Sequence, residues 1–395
     1  MTKSCLIIGS VIPSPSRPTI GLMATLLSSA PNYRGAGIHQ YSKALLAFLP
    51  HHAPAFDFHA FLMDRAFSAP GVTCHRATKL TESPTQRILW EQVQVARLTR
   101  QLGLDLLHGF AYALPVAVAI PTVVTVHDLT FLRFPHAFPR SKQQYLSRMT
   151  SFSCRRARVV IADSHATARD LTSLLGIPDE KIQVIYPGAD ARYRPLPRAE
   201  VEAWRKRKSL PEQFILMVGT LEPRKNHLGL IEAYARYRTL ARHPLPLFIG
   251  GGKGWHYQQI FVRVQALGLE KDVHFLGFVP WEDLPWLYNA ATLFVYPSYY
   301  EGFGLPVVEA MRSGLPVITS TASSLPEVAG QAALTIDPDD PDALAQAIWR
   351  VTESEPERLA AMRAQGMAQA RRFQWQETAR QTARVYARIL NLPHV

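Results

Sequence analysis

The sequence predicts an α/β protein of two domains, each built on a parallel sheet that helices cover. Short apolar runs alternate along the chain with longer amphipathic segments, which is the pattern of parallel strands joined by helices. The runs fall into two series, and a segment rich in proline and charge separates them. A chain of 395 residues, 47% of them hydrophobic, is long enough to bury a large core, and its length favours two domains over one.

The first series predicts an N-terminal domain over residues 20–186. Its candidate strands are residues 20–27, 56–63, 106–108, 122–127, 159–162 and 182–185. The apolar run at residues 5–12 is too short to span a membrane and lacks the cleavage context of a signal peptide. Because prolines interrupt the chain soon afterwards, we expect residues 1–19 to form an N-terminal extension.

The second series predicts a C-terminal domain over residues 214–372. Its candidate strands are residues 215–219, 247–250, 273–276, 293–296 and 316–320. Residues 187–213 read PGADARYRPLPRAEVEAWRKRKSLPEQ and contain nothing that resembles a buried strand, so this segment is the predicted linker. Residues 373–395 follow the second domain, and their apolar spacing predicts a helix.

Basic residues outnumber acidic ones, which gives the chain a net charge of +12. Between Arg133 and Arg158 the chain carries several Lys and Arg residues and no acidic residue. If this segment is helical, its charged face is either simply solvated or attracted to anionic lipid or to a diphosphate acceptor. Nucleic acid would be attracted by the same charge, but the segment carries no recognised nucleic-acid motif.

The cysteines favour a reducing compartment. Cys5, Cys74 and Cys154 are an odd number with wide, unrelated spacings, so they support neither a disulfide framework nor a zinc site. No segment reaches the roughly twenty apolar residues that cross a bilayer. We therefore expect a cytoplasmic protein, and contact with the inner face of the membrane stays open.

One stretch, YPSYYEGFGLPVVEAMR at residues 296–312, predicts a strand, a glycine loop and the start of a helix. Pro306 suits a first helical position, because its missing N–H and fixed φ cost nothing there. Backbone N–H groups at such a helix start favour an anion or sugar oxygens. Glu301 and Glu309 flank this loop, and one carboxylate can accept both hydroxyls of a ribose.

Polar residues also follow several other predicted strands, at the sheet edge where ligands of open α/β proteins collect. They include the glycines of Gly35-Ala36-Gly37, His127 with Asp128, the loop GTLEPRKN at residues 219–226, and GFVP at residues 277–280. For the first of these, the residues alone favour a plain turn. A lone histidine is more often structural than catalytic. Asp128 is expected to orient its loop or to cap backbone N–H groups.

The E-x7-E pattern with GFGLP inside it resembles the retaining glycosyltransferases of family 4, which have the GT-B architecture. The segments VVTVHDLTFLRFP and GTLEPRKN are similar to bacterial mannosyltransferases of polysaccharide assembly. The resemblance covers about residues 20–390 and is strongest over residues 215–330. It implies two Rossmann-like domains that face each other across a cleft, with the last helix crossing back to the first domain.

The resemblance also implies roles for particular residues. Glu309 would bind the ribose, Arg224 and Lys225 the diphosphate, and His127 the transferred sugar from the opposite domain. Glu301 would bind the donor sugar together with the backbone of Gly302, Phe303, Gly304 and Leu305. The remaining binding candidates are Gly37 in the first glycine loop, Thr220 beside the diphosphate site, and Phe278 and Val279 next to the base. Ordinary core packing accounts for the last two side chains equally well.

The expected reaction is transfer of a sugar, best guessed as mannose from GDP-mannose, to a saccharide or to a polyprenyl-diphosphate-linked saccharide. No metal is expected, because the D-x-D of Asp337-Pro338-Asp339 lies in the acidic turn DPDDPD, a pattern typical of a segment that precedes or caps a helix. No cofactor is expected beyond the nucleotide diphosphate sugar. A UDP- or dTDP-sugar donor stays open, and so does a non-catalytic scaffold that only binds the sugar nucleotide. An epimerase or a phosphorylase of similar architecture would not be expected to share the full GFGLPVVEA loop.

Overall fold

The computed structural model describes residues 17–28, 36–77 and 83–393. In these residues thirteen strands form two separate sheets, and the strands of both sheets pair in parallel. Residues 1–16 of the extension predicted for residues 1–19 lie outside the described residues. Gly35 of the first glycine loop also lies outside them.

The first sheet has seven strands. They are β1 (Thr19–Met23), β2 (Asp57–Leu62), β3 (Val72–Arg76), β4 (Leu106–Gly109), β5 (Thr122–Val126), β6 (Val159–Ala162) and β7 (Ile182–Val184). Their order across the sheet is β3-β2-β1-β4-β5-β6-β7. The inner strand β5 reads TVVTV and is buried throughout, as expected for a β-branched strand with helices on both of its faces.

The second sheet has six strands. They are β8 (Ile215–Val218), β9 (Leu247–Gly250), β10 (Val273–Gly277), β11 (Leu293–Tyr296), β12 (Val317–Ser320) and β13 (Leu334–Ile336). Their order is β10-β9-β8-β11-β12-β13, so the first strand of the series lies inside the sheet next to the fourth. That point of reversal is where ligands of open α/β sheets bind.

Helices cover both sheets. They are α1 (Ala36–His52), α2 (Pro84–Leu89), α3 (Ala96–Gln101), α4 (Thr130–Arg133), α5 (Arg140–Arg156), α6 (His165–Leu175), α7 (Arg198–Arg207), α8 (His227–Leu240), α9 (Gln258–Ala266), α10 (Leu284–Ala290), α11 (Leu305–Arg312), α12 (Leu325–Ala329), α13 (Pro341–Thr352), α14 (Pro356–Ala370) and α15 (Trp375–Ile389). A π-helical turn, Trp90–Val95, joins α2 to α3. Side-chain caps explain several of the starts. For example, Ser164 accepts from a backbone N–H of α6 and Asn226 accepts from one of α8.

Most of the predicted strands are confirmed, and the differences lie at sheet edges and strand ends. The first strand ends at Met23 rather than at residue 27, because the chain turns there and the Leu27 N–H donates to the Ala24 carbonyl. The sequence does not predict β3, an edge strand that is half exposed and reads VTCHR. It does not predict β13 either, which has only three residues. Both lack the apolar run that signals a buried strand.

The proline-rich segment 187–213 contains a helix. Helix α7 lies inside it, and Val201 and Trp204 are buried in the core of the second sheet. The Trp204 indole N–H donates to Asp283, just before α10, at 3.2 Å. This segment is therefore packed onto the second sheet by its helix, while the domain boundaries stay a prediction.

The last helix returns to the first sheet, as the GT-B architecture requires. Helix α15 packs on α1, and Trp375, Ala383 and Tyr386 belong to the core beneath the first sheet. The Tyr386 hydroxyl hydrogen-bonds Nδ1 of His108 at 2.6 Å. The C-terminal segment thus ties the first sheet to the helices that follow the second.

Helix α5 confirms that the basic segment after Arg133 is helical. Thr150, Ser153 and Cys154 face the core, whereas Arg148 and Arg155 are exposed. In the three described stretches of the chain, no helix is long and apolar enough to cross a bilayer. The basic face of α5 is therefore consistent with both predictions, a simply solvated surface and a surface that attracts anionic groups.

Candidate active site

The ends of strands from both sheets meet in one cleft. His127 follows β5 of the first sheet, and Gly302 belongs to the loop after β11 of the second. The Thr167 hydroxyl lies between them, 3.3 Å from the His127 carbonyl and 3.2 Å from the Gly302 carbonyl. The two halves of the molecule therefore contact each other at the residues that the sequence singles out.

Glu301 is the centre of a buried ion cluster. Its Oε1 accepts hydrogen bonds from Nζ of Lys225 at 2.6 Å and from the Tyr296 hydroxyl at 3.0 Å. Its Oε2 accepts from Nη1 of Arg224 at 3.0 Å. Burial alone would raise the pKa of Glu301, but Lys225 and Arg224 outweigh it and hold this pKa at about 2. The carboxylate is therefore ionised at every physiological pH.

Arg224 holds the cluster together. Its Nε pairs with Glu222 at 2.7 Å, and its Nη1 also donates to the Tyr300 carbonyl at 2.8 Å. Burial opposes the charge, yet Glu301 and Glu222 raise the pKa of Arg224 above its ordinary value. Burial and the neighbouring Arg224 lower the pKa of Lys225. Two cations and two carboxylates thus neutralise each other at the ends of β8 and β11.

Glu309 lies deeper, in the second turn of α11. Its side chain is only 4% exposed, and its Oε2 accepts from the Tyr288 hydroxyl at 3.1 Å. The Tyr193 hydroxyl is buried close to the same carboxyl. Burial raises the pKa of Glu309 to about 7, because the two tyrosine hydroxyls and the charge of Arg192 offset only part of the cost of burying the carboxylate. The two carboxyl groups of the E-x7-E pattern therefore have pKa values shifted in opposite directions, lowered for Glu301 and raised for Glu309.

The glycine loop needs its glycines because the chain is crowded there. A Cβ on Gly302 would lie 1.9 Å from the His127 carbonyl oxygen, so only glycine lets the two domains approach this closely. Gly304 has φ of +107° at the start of α11, which is also a glycine conformation. The Phe303 ring packs away from the cleft against Tyr186 and Phe373, and Leu305 begins the helix with Pro306 next to it.

His127 has both ring nitrogens bound by the protein. Nδ1 is 2.7 Å from Oδ2 of Asp163, and Nε2 is 2.8 Å from the Phe110 carbonyl. Because a carboxylate and a carbonyl only accept, both nitrogens carry hydrogen and the ring is an imidazolium. Burial opposes this charge, but Asp163 and the Phe110 carbonyl raise the pKa of His127 overall. A sugar hydroxyl could bind a ring nitrogen only by displacing one of these partners.

Asp128 caps its own loop, as the sequence predicts. Its Oδ1 accepts from the backbone N–H of Thr130 at 2.9 Å, at the start of α4. The acidic turn of residues 337–340 behaves in the same way, because Asp340 caps α13 by accepting from Ala343 at 2.9 Å. Across the described residues, no group of three or more His, Cys, Asp or Glu side chains is arranged to hold a metal ion.

The other predicted binding residues do not take part in the ion cluster described above. Gly37 is the second residue of α1, and a Cβ there would have no neighbour within 4 Å. Thr220 lies in the loop after β8, where the Leu221 N–H donates to the Gly252 carbonyl at 2.9 Å. Phe278 follows the edge strand β10 and is 45% exposed. Val279 packs against Gly250 at the end of β9.

Sequence reasoning missed four residues of this site. Asp163 binds His127, and Glu222 pairs with Arg224. Tyr296 binds Lys225, and Tyr300 binds the backbone of Leu129. Asp163 directly follows β6 and Tyr296 ends β11, so the rule that ligands collect at strand ends would have found both. Tyr300 OH also donates to Asp170 of α6 at 2.8 Å, a contact between domains that no local pattern signals.

Two family models match the chain. "Glycosyltransferase Family 4" matches residues 47–193 and "Glycosyl transferases group 1" matches residues 200–369. Among curated proteins, O-antigen chain mannosyltransferase B of Escherichia coli is 36% identical over 280 residues, which are 71% of this chain and 73% of that protein. The serotype-specific mannosyltransferase WbdA of Escherichia coli is 29% identical over 279 residues, 68% of this chain but only 34% of that protein.

Solved structures share the arrangement of both sheets. Sucrose-phosphate synthase from Thermosynechococcus elongatus superimposes with a TM-score of 0.76 at 23% identity, covering 95% of this chain and 100% of that one. Anabaena Alr3699/HepE in complex with UDP and glucose superimposes with a TM-score of 0.71 at 20% identity, covering 94% of this chain and 100% of that one. At these identities the likeness shows the fold alone.

Proposed function

Because this chain belongs to the family 4 retaining glycosyltransferases and has their GT-B fold, we propose that it transfers mannose from GDP-mannose to a saccharide or lipid-linked saccharide. The relative named as an O-antigen chain mannosyltransferase, 36% identical, supports mannose as the donor sugar. The segments HDLTFLRFP and GTLEPRKN support the same choice by their resemblance to mannosyltransferases of polysaccharide assembly.

The observation that carries the proposal is the ion cluster of Glu301, Lys225 and Arg224. A departing nucleoside diphosphate gains negative charge, and the two cations of the loop after β8 would neutralise it. Because Glu301 and Glu222 pair with these cations in the free protein, Lys225 and Arg224 stay charged and oriented before the donor arrives. The diphosphate would share these cations, and the Glu301 carboxylate, still paired with them, would accept one further hydrogen bond from a sugar hydroxyl.

Glu309 would bind the two hydroxyls of the ribose. Its pKa of about 7 means that much of it is protonated in the free protein near neutrality. Two hydroxyl donors would supply the stabilisation that its buried carboxylate lacks, so the donor would bind the ionised form. The loop residues Phe278 and Val279 would then border the base.

His127 would act from the first domain. Its imidazolium N–H groups are donors, and a sugar hydroxyl could replace the Phe110 carbonyl as the partner of Nε2 while Asp163 keeps hold of Nδ1. The backbone of Gly302, Phe303, Gly304 and Leu305 would bind the same sugar from the second domain. Closure of the two domains would bring both sets of contacts together.

Retention of configuration would follow from attack on the face that the diphosphate leaves. The glycosidic C1–O bond breaks towards the diphosphate, the acceptor oxygen bonds to C1 on the same face, and a diphosphate oxygen takes the acceptor proton. Glu301 is a poor candidate for the covalent nucleophile of a double displacement, because both of its oxygens are engaged by cations. Trapping a glycosyl-enzyme on a carboxylate would refute this mechanism.

The acceptor is proposed to be a saccharide, free or attached to a polyprenyl diphosphate. The basic face of α5 would suit the second case by attracting either the diphosphate or an anionic membrane surface. Co-sedimentation with anionic and neutral vesicles distinguishes this arrangement from a merely solvated face, because only a membrane-binding face would require the anionic lipid.

Thermal stabilisation by nucleotide sugars tests the donor proposal. A ligand at a hundred times its Kd adds about 2.7 kcal/mol to the free energy of unfolding, which gives a clear shift in Tm. We expect GDP-mannose to shift the wild type and not the Glu309→Ala or Lys225→Ala variants. Lys206→Ala is the matched control, because Lys206 is exposed on α7.

Two results would change the proposal. A larger shift with UDP-glucose than with GDP-mannose would select the other donor class. Anabaena Alr3699/HepE, whose fold is similar, has been solved in complex with UDP-glucose. Binding of a nucleotide sugar without hydrolysis or transfer, across a broad panel of acceptors, would instead favour a non-catalytic scaffold.

A further inference from the structure

A second cavity lies between the domains. It measures about 1740 Å³ and is bounded by α6 and β7 of the first domain and by the chain after β11 and β12 of the second. Its walls do not include Glu301, Lys225, Arg224, Glu309 or His127. Sites for single small molecules measure about 300–1,000 Å³, so this cavity has room for an extended ligand.

The walls combine aromatic rings with hydrogen-bonding side chains. The rings belong to Phe134, Tyr186, Tyr299 and Tyr300, and the uncharged polar side chains include Thr172, Ser173, Gln183, Ser323 and Gln381. A sugar has faces of C–H groups and a rim of hydroxyls, so it binds aromatic faces and polar groups at the same time. The cavity offers both over a continuous surface.

Apart from the exposed Arg169, the charged residues of the cavity are paired within the protein. Arg133 forms an ion pair with Asp170. Glu327 accepts from the backbone N–H groups of His165 and Ala166 at 3.0 Å each, at the start of α6. Asp179 accepts from the Thr172 hydroxyl at 2.6 Å. Since Arg169 is the one charged lining residue without such a partner, the cavity offers a polyanion little unpaired positive charge and suits a neutral polar ligand better than a nucleotide.

The aromatic side chains are held in place before any ligand binds. The Tyr186 hydroxyl donates to Glu327 at 3.1 Å, and its ring packs on Phe303 and Phe373 at 5.7 and 5.6 Å between centroids. The Tyr300 hydroxyl donates to Asp170 and its ring contacts Phe134. A rigid surface loses little conformational entropy when it binds a ligand.

Tyr300 connects this cavity to the proposed site of transfer. Its side chain lines the cavity, whereas its backbone carbonyl accepts from Arg224 at 2.8 Å and its next neighbour is Glu301. We propose that the cavity binds a saccharide chain, namely the part of the acceptor beyond the sugar that receives the new residue. The acceptor role rests on the proposed function, whereas saccharide binding does not.

Binding of free saccharides tests the cavity without turnover. The probes are linear tetrasaccharides of mannose, glucose, galactose and N-acetylglucosamine, each compared with its monosaccharide by saturation-transfer NMR and titration. We expect at least one tetrasaccharide to bind tenfold more tightly than its monosaccharide. Tyr299→Ala and Gln183→Ala should each weaken that binding at least fivefold, whereas Tyr299→Phe, which keeps the ring, should weaken it less.

Gln265→Ala is the matched control, because Gln265 is an exposed glutamine on α9, outside the cavity. A parallel titration with GDP-mannose separates the two proposals. Absence of binding by every tetrasaccharide overturns the cavity site, whether or not the nucleotide sugar binds. Saccharide binding that Tyr299→Ala and Gln183→Ala leave unchanged also overturns it. Saccharide binding without any nucleotide binding supports the cavity and refutes the donor proposal alone.

Discussion

Lowering the pH from 8 to 6 should weaken the binding of GDP-mannose to this protein about tenfold. The group responsible is Glu309, whose buried carboxyl has a pKa of about 7 in the free protein. If the ribose hydroxyls donate to the carboxylate, the donor binds only the ionised form, and a proton competes with the donor for the site. Affinity should therefore fall as the pH falls.

The magnitude follows from the ionised fraction. With a pKa of about 7, roughly nine in ten molecules carry the carboxylate at pH 8 and roughly one in ten at pH 6. The other carboxylate of the pattern, Glu301, has a pKa of about 2 and does not change its charge in this range. A tenfold rise in Kd corresponds to about 1.4 kcal/mol.

Isothermal titration at pH 6, 7 and 8 measures the effect. GDP-mannose is preferable to GDP, because a terminal phosphate has a second pKa of about 6 and would titrate in the same range. Repeating the titration at pH 7 in buffers of different ionisation enthalpy should reveal release of about half a proton for each donor bound. The Glu309→Gln variant should bind more weakly at pH 8 and should lose the pH dependence.

Two outcomes would contradict this reasoning. A wild-type Kd that is constant between pH 6 and 8 would mean that Glu309 does not change its protonation when the donor binds. A loss of affinity at low pH that persists in Glu309→Gln would assign the titration to another group, and that group would not be His127, because a His127 imidazolium that donates to the sugar would strengthen binding as the pH falls.

Three further predictions concern stability and reactivity. Lys225→Ala should lower the free energy of unfolding in urea by about 3 kcal/mol, because Glu301 keeps a buried charge with one partner fewer. The double variant Lys225→Ala/Glu301→Gln should lose less stability than the sum of the losses in the two single variants. Tyr386→Phe should cost about 1–3 kcal/mol, because His108 loses the partner of its Nδ1 in the core that joins the last helix to the first sheet; an unchanged denaturation midpoint would contradict this. Cys154 is fully buried and burial raises its pKa to about 12, so mass spectrometry should find it unmodified after native alkylation at pH 8 and modified only after denaturation.

Much of the fold follows from local pattern. The strands β5, β6 and β11 are short apolar runs between turns, and a buried parallel strand needs nothing more to be recognised. The edge strand β3 escapes notice because half of its surface faces solvent, and β13 because it has three residues. Helix α7 escapes notice because prolines and charges surround it, although Trp204 anchors it to the second core.

The residues of the candidate site likewise fall into two groups, those that the sequence predicts and those that only the fold brings together. Glu301, Glu309, Arg224, Lys225 and His127 can be selected from the sequence, because they belong to short motifs that resemble family 4 glycosyltransferases. Four of them also lie in loops that follow strands, where ligands collect, whereas Glu309 lies in the helix after the glycine loop. Their partners cannot be selected so easily. Asp163 is 36 residues from His127 along the chain, and Glu301 is 76 residues from Lys225.

The sequence by itself determined the two α/β halves, the glycosyltransferase family and the positions of the residues proposed to bind the donor, since these depend on apolar periodicity and on short contiguous motifs. Only the tertiary structure decided that Glu301 is ionised with a pKa of about 2 while Glu309 has a pKa of about 7. The pKa of a carboxyl depends on how deeply it is buried and on which charges lie within a few ångströms. Those neighbours come from distant parts of the chain, so the same residue type in one motif acquires two different protonation states only when the chain folds.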